Sequence, residues 1–213
     1  SGRPFASHHM AEAYRSGAEP FGWSERHAMP GARREGEWLV GMGTATATYP
    51  YFRMPGGAAR ITLARDGSAM VVSAAHEMGM GTTTVLTQIA AERLGLPADK
   101  VAVEIGDSTL PGLIMAGGSQ QTASVGAGFI AAHRALVDEL LKLAGNASPL
   151  SGLSADEVGG IDGGLCKLDE PERRESYAAI LARSGRAELT VEGTASDLLE
   201  LRHWSMHSYG ALF

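Results

Sequence analysis

Cysteine is nearly absent from this chain. The single residue, Cys166, cannot close a disulfide within the chain, nor can it furnish a cysteine-ligated zinc or iron–sulfur site. Long apolar runs are missing too: none approaches the ~20 residues of a membrane span. The first residues hold no charged-then-apolar leader pattern. The chain reads as soluble, expected in the cytoplasm with the periplasm as alternative. Basic residues are short of acidic ones, 18 against 24, and a net charge of −6 argues against nucleic acid or an anionic membrane as partner. Aromatics make up only 6%, while 28 glycines are spread along 213 residues. That balance suits many close backbone approaches better than an aromatic-rich core.

What is present reads as a mixed α+β chain rather than a regular alternation of strand and helix. Met10, Ala13 and Tyr14 share one face of a helix over His9–Gly17. Trp38–Tyr49 reads as a strand in which threonines alternate with small residues. Asp66-Gly67 lies between two alternating runs, 59–65 and 68–73, a strong hairpin signal. Val85, Ile89 and Leu94 place a helix over Thr84–Leu94, ended by Gly95 and Pro97. Val101–Ile105 is a short strand, and Val125, Phe129, Ala132, Leu136, Leu140 and Leu143 mark the buried face of a long helix over Thr122–Ala144. Residues 145–171 are polar and glycine-rich without a pattern, and a sub-boundary is expected there. Ser176 caps a short helix, and Ala187–Val191 is a strand. The last residues, 203–213, are apolar and aromatic, as if a strand were beginning.

Two glycine turns carry the chemistry. His76-Glu77-Met78-Gly79-Met80-Gly81-Thr82 runs into the first helix, and Gly117-Gly118-Ser119-Gln120-Gln121-Thr122 into the second. A helix start offers unpaired backbone N–H groups and the positive end of the macrodipole, so both turns can receive an anion such as a phosphate. Each also has a plainer reading. The glycines can serve a strand-to-helix connection, and Ser119, Gln121 and Thr122 can act only as caps. His8-His9 point apart and lack a cluster, so they are read as solvated. His76 and Glu77 are read as structural, Cys166 as an incidental thiol in a polar loop, and Asp169–Glu175 as a solvated charged face. A nucleotide-binding domain of another type would need a Walker lysine or a strand–GxGxxG–helix unit, and neither occurs.

The order of motifs resembles the molybdopterin-binding large subunits of the xanthine dehydrogenase/aldehyde oxidase family. The resemblance lies in GMGTATATYP at 41–50, HEMGMGTTTVLTQIAAERLGLP at 76–97, VEIGDSTLP at 103–111, GGSQQTASVGAGF at 117–129, ESYAAILARSG at 175–185 and SYGALF at 208–213. It implies part of a molybdopterin-binding domain spanning the whole chain, an α+β fold with a mixed or antiparallel sheet and packed helices. It implies the cofactor-binding portion of a molybdenum hydroxylase that oxidises aldehydes or N-heterocycles. The metal would be held by the pterin dithiolene, with the pterin often extended as a cytosine dinucleotide in bacterial members, and the cofactor would carry the redox chemistry.

Position by position, the resemblance implies that Gly79, Met80, Gly81 and Thr82 contact the cofactor, Met80 through its N–H alone. It implies the same for Ser119, Gln121 and Thr122, and it places Tyr49 and Pro50 along the substrate funnel. Expected partners are the rest of the large subunit, iron–sulfur and FAD subunits or domains, and a small aldehyde or heterocycle; exposed edges favour self-association into a homo-oligomer. No segment matches the family's catalytic glutamate, so no catalytic residue and no protein metal ligand is assigned. The expectation is a fragment that is inactive alone. The competing expectation is a non-catalytic assembly module that keeps the fold without a cofactor. It would be favoured by bulky side chains plugging the space between the turns.

Overall fold

A computed structural model describes residues 2–195 and 202–213. The chain forms two units, and each is described by itself.

The smaller unit holds residues 2–51 and 202–213. Its helix α1 (Met10–Phe21) ends where Gly22 takes a left-handed φ of 72°. The helix runs a turn past the expected Gly17, carrying Pro20 in its last turn. The strand expected over Trp38–Tyr49 is split. Arg34–Glu35 (β1) and Trp38–Leu39 (β2) form a small hairpin, and Ala45–Pro50 (β3) pairs antiparallel with His207–Leu212 (β11). The break falls over Gly41 and Gly43, where glycine weakens a strand. Phe213 lies against α1: a Cβ on Gly17 would meet its ring at 2.8 Å.

The larger unit, residues 52–195, carries a four-stranded sheet in the order β10 (Glu188–Thr194), β4 (Ala58–Ala64), β5 (Ala69–Ser73) and β6 (Val101–Ile105). Strands β4 (Ala58–Ala64) and β5 (Ala69–Ser73) form the expected hairpin, with Gly67 left-handed at its turn. Helix α2 (Thr82–Leu94) then crosses to β6 (Val101–Ile105), which pairs parallel to β5. A crossover helix is what a parallel pair requires. Helix α3 (Gln121–Ala144) packs across β4 and across β10 (Glu188–Thr194), which runs antiparallel to β4. The expected boundaries of α2 and α3 each move toward the N-terminus, by two residues and one.

The register of β4 buries Ala59, Ile61 and Leu63 on the face that meets Phe129, Ala132, Leu136 and Leu140 of α3. Burying each large apolar side chain contributes roughly 1.5–3 kcal/mol, so this interface anchors α3. A smaller cluster of Ala75, Leu86, Ile114 and Val125 sits under the two glycine turns.

Residues 145–171 lie inside the larger unit. They include the strands β7 (Val158–Ile161) and β8 (Gly164–Lys167), which form an antiparallel meander with β9 (Glu170–Ser176). The glycines that erase the alternation are there because backbones touch. A Cβ on Gly160 would fall 2.4 Å from the Arg93 carbonyl, and one on Gly164 would fall 2.3 Å from the Glu175 carbonyl. Cys166 is on β8 and buried, not in a polar loop. Ser176 caps α4 (Tyr177–Arg183) by accepting the Ala179 N–H at 3.2 Å. The result is an α+β fold with one mixed sheet and several antiparallel ones. No described helix is long and apolar enough to cross a membrane.

Candidate functional site

The two glycine turns meet at one cleft. Met78 and Met80 form one wall; Ala116, Gly117, Ser119, Gln120, Gln121 and Thr122 form the other, around a volume of about 360 Å3. Among the described residues no acidic or basic side chain lines it. Thr122 and Ser119 also open onto an adjoining groove between α2 and α3, of about 570 Å3, that reaches Arg93 and Ile130. The topology explains the meeting: α2 packs against α3, and both turns sit above the cluster of Ala75, Leu86, Ile114 and Val125.

A buried amide ties the turns together. Gln121 Oε1 accepts the His76 N–H at 3.0 Å, and Gln121 Nε2 donates to the His76 carbonyl at 2.7 Å and to the Thr82 hydroxyl at 3.2 Å. His76 Nδ1 lies 3.2 Å from the same amide oxygen. Gln121 is 3% exposed and Thr82 wholly buried, so both side chains are spent on the strut. The Thr82 hydroxyl and the Gln121 amide hydrogen-bond to each other and join the two turns.

The second turn is shaped by Gln120, which sequence reasoning passed over. Its Nε2 donates to the Met115 carbonyl, and its Oε1 accepts from Ser124 Oγ at 2.6 Å. Ser124 in turn accepts the Met54 N–H at 2.9 Å. Polar residues at 120 and 124, one helical turn apart at the head of an apolar helix, were the available signal. Gly118 and Ser119 both take left-handed φ, 66° and 54°, and turn the chain into α3. A non-glycine residue pays steric strain there. Among the described residues no side chain accepts from the first N–H groups of helix α3.

The start of α2 is different. The Glu77 carboxylate sits on it: Oε1 accepts Gly79 N–H at 2.8 Å and Gly81 N–H at 3.0 Å, and Oε2 accepts Thr83 N–H at 3.3 Å. The Gly81 N–H, followed by those of Thr83, Gly79 and Thr82, holds this carboxyl below its ordinary range. The N–H groups of Gly79 and Gly81, expected to contact the cofactor, both donate to the Glu77 carboxylate. Met80 turns its thioether back onto its own loop, where the sulfur receives the Met78 N–H at 3.3 Å.

Tyr49 and Pro50 lie in the smaller unit, at the end of β3 opposite Ser208 and His207. Among the described residues no three His, Cys, Asp or Glu side chains converge to hold a metal ion. The cleft nonetheless fits the anionic, organic part of a cofactor: it is lined by neutral groups, opens onto an uncapped helix start, and added Cβ atoms at Gly79, Gly81 or Gly118 would meet nothing.

Known proteins resemble this chain in sequence and fold. The aldehyde oxidoreductase molybdenum-binding subunit PaoC of Escherichia coli K12 is 42% identical over 109 residues, 51% of this chain and 15% of that protein. The xanthine dehydrogenase molybdenum-binding subunit of Escherichia coli O157:H7 is 32% identical over 107 residues, 48% of this chain and 14% of that protein. This chain thus aligns with about a seventh of each relative's length. Among solved structures, quinoline 2-oxidoreductase of Pseudomonas putida 86 superposes on 79% of this chain and 23% of its own, with a TM-score of 0.62 and 20% identity. Carbon monoxide dehydrogenase of Oligotropha carboxidovorans also covers 79% of this chain, and 22% of its own, with a TM-score of 0.61 and 20% identity. These two likenesses concern the fold alone. Residues 16–210 match the sequence profile of the molybdopterin cofactor-binding domain, and the chain belongs to that family.

Proposed function

We propose that this chain supplies the phosphate-holding part of the cofactor cradle in a molybdenum hydroxylase that oxidises aldehydes or N-heterocycles. The observation that carries the reading is the convergence of both glycine turns on one neutral cleft whose α3 side is an uncapped helix start. An anion placed there meets the N–H groups of Gln121 and Thr122 and the positive end of a 24-residue helix. Ser119 and Thr122 add hydroxyls beside it. Gln120 and Gln121 hold the loop and the strut, so the donors are preorganised before the ligand arrives.

When bound, the cofactor supplies the two-electron redox chemistry; this chain's residues bind and orient it. The adjoining groove between α2 and α3, reaching Arg93, is of a size for the nucleoside of a cytosine-dinucleotide form. Tyr49 and Pro50 serve the substrate side, and iron–sulfur and flavin subunits receive the electrons. Relatives named as molybdenum-binding subunits support that division of labour.

The test is retention of pterin. The chain is produced in cells that make the cofactor and purified, and bound pterin is released and quantified by its fluorescence after oxidation. Thr122→Glu places a carboxylate at the second position of α3, where it suits the helix but repels an anion. The wild-type chain should carry pterin and the variant at most about a tenth as much, a loss of roughly 1.4 kcal/mol. Equal retention in a folded Thr122→Glu chain would sink the reading.

A second reading has one observation in its favour. Met78, which lines the cleft, and Met115, next to its wall residue Ala116 in the chain, are 69% and 63% exposed, as an assembly surface would have them. Among the described residues no bulky side chain plugs the cleft, which is why the cradle is preferred.

A further inference from the structure

The two helix starts look equivalent in sequence and are not equivalent in the fold. One already holds an anion of its own. The Glu77 carboxylate spans the turn and receives three backbone N–H groups, from Gly79, Gly81 and Thr83, at 2.8, 3.0 and 3.3 Å. Among the described residues no side chain accepts from the N–H groups of 121–123 at the start of α3, and no acidic residue lines its side of the cleft.

We propose that Glu77 is a positioning residue that closes the start of α2 to external anions and so directs a ligand's phosphate to the start of α3. This rests on the cradle reading for the α3 side. The argument is one of competition. Glu77 is two residues from Gly79 in the chain, so its carboxylate is tethered beside its donors at high effective concentration. A phosphate approaching Gly79–Gly81 must displace it and bring two like charges together. At the α3 start nothing has to be displaced. The Met78–Met80 wall is then left for an uncharged part of the ligand, which suits two thioether side chains. The polarity of the cleft, and hence which way round the ligand lies, is set by one carboxylate.

The experiment titrates the isotope-labelled full chain with inorganic pyrophosphate and follows backbone amides by NMR. In the wild-type chain the amides of 119–123 should move and those of Gly79, Gly81 and Thr83 should not. In Glu77→Ala both sets should move, and the stoichiometry should rise from one pyrophosphate to two, with the α2 start binding at least about tenfold tighter than in the wild-type chain. Glu77→Gln keeps the acceptor without the charge and covers the case in which the alanine variant does not fold. It too should admit pyrophosphate to Gly79 and Gly81.

Movement of Gly79, Gly81 and Thr83 in the wild-type chain overturns the proposal. So does a folded Glu77 variant in which those amides still ignore pyrophosphate. If 119–123 never move while the α2 amides move only in the Glu77 variants, the role of Glu77 stands and the cradle reading fails.

Discussion

Gln121 holds His76 by both backbone groups: its amide accepts the His76 N–H at 3.0 Å and donates to the His76 carbonyl at 2.7 Å. Forty-five residues separate them, and the pair joins the start of α3 to the segment that leads into α2. Gln121→Ala would leave a part-buried backbone N–H and carbonyl unpaired, and would release the Thr82 hydroxyl. The expected cost is about 2–3 kcal/mol, a fall in melting temperature of about 5 °C or more for a chain of this size. Thermal denaturation checks it, and an unchanged midpoint would remove the strut from the argument.

Glycine is required where α3 crosses β4. A Cβ on Gly128 would lie 2.5 Å from the Gly57 carbonyl oxygen, and the atoms it meets are backbone. Gly128→Ala should therefore destabilise by about 2 kcal/mol or more, although alanine is the better helix former. Gly126 is two residues earlier, and its nearest neighbour is the end of the Ile89 side chain at 3.9 Å. Gly126→Ala should stabilise by about 0.5–1 kcal/mol. Urea unfolding of the two variants side by side tests the sign as well as the size.

Tyr177 is buried, and its hydroxyl donates to the Leu94 carbonyl at 2.9 Å, near the end of α2. Burial pushes its phenol above the ordinary range, so the O–H stays a donor at any working pH. Tyr177→Phe should cost about 1 kcal/mol with little change in packing. A neutral result would mean that another donor reaches that carbonyl.

Acid should weaken the chain through two groups. Burial, the larger effect, lowers His133 below its ordinary value of 6.5, while its Nε2 pairs with the Arg93 carbonyl at 3.0 Å and pulls the other way. The unfolded chain therefore takes up a proton that the folded one resists. Stability is full above the unfolded value and falls as pH drops through the folded one. Glu77, lowered chiefly by the Gly81 N–H, loses its contribution further down, below the ordinary carboxylate range. His133→Gln keeps a donor and does not titrate, so its unfolding free energy should change less between pH 7.5 and 5.5 than the wild-type value.

Local pattern was enough for most elements. The Asp66-Gly67 hairpin, β6, α2 and α3 were legible because each buries one face against one neighbour, and periodicity records that directly. The meander of β7, β8 and β9 was not. Gly160 and Gly164 are spaced by backbone contact rather than by alternation, and charged β9 is exposed along most of its length.

At the site, sequence by itself determined the two glycine turns, their order, and the apolar face that places α3. Tertiary structure decided that they share one cleft, that Gln121 and Thr82 are struts, and that Glu77 has already filled one of the two helix starts. The reason is physical. A glycine turn offers the same N–H groups whatever surrounds it, while the partner that accepts them is chosen by the three-dimensional packing, from residues as near as two positions or as far as forty-five.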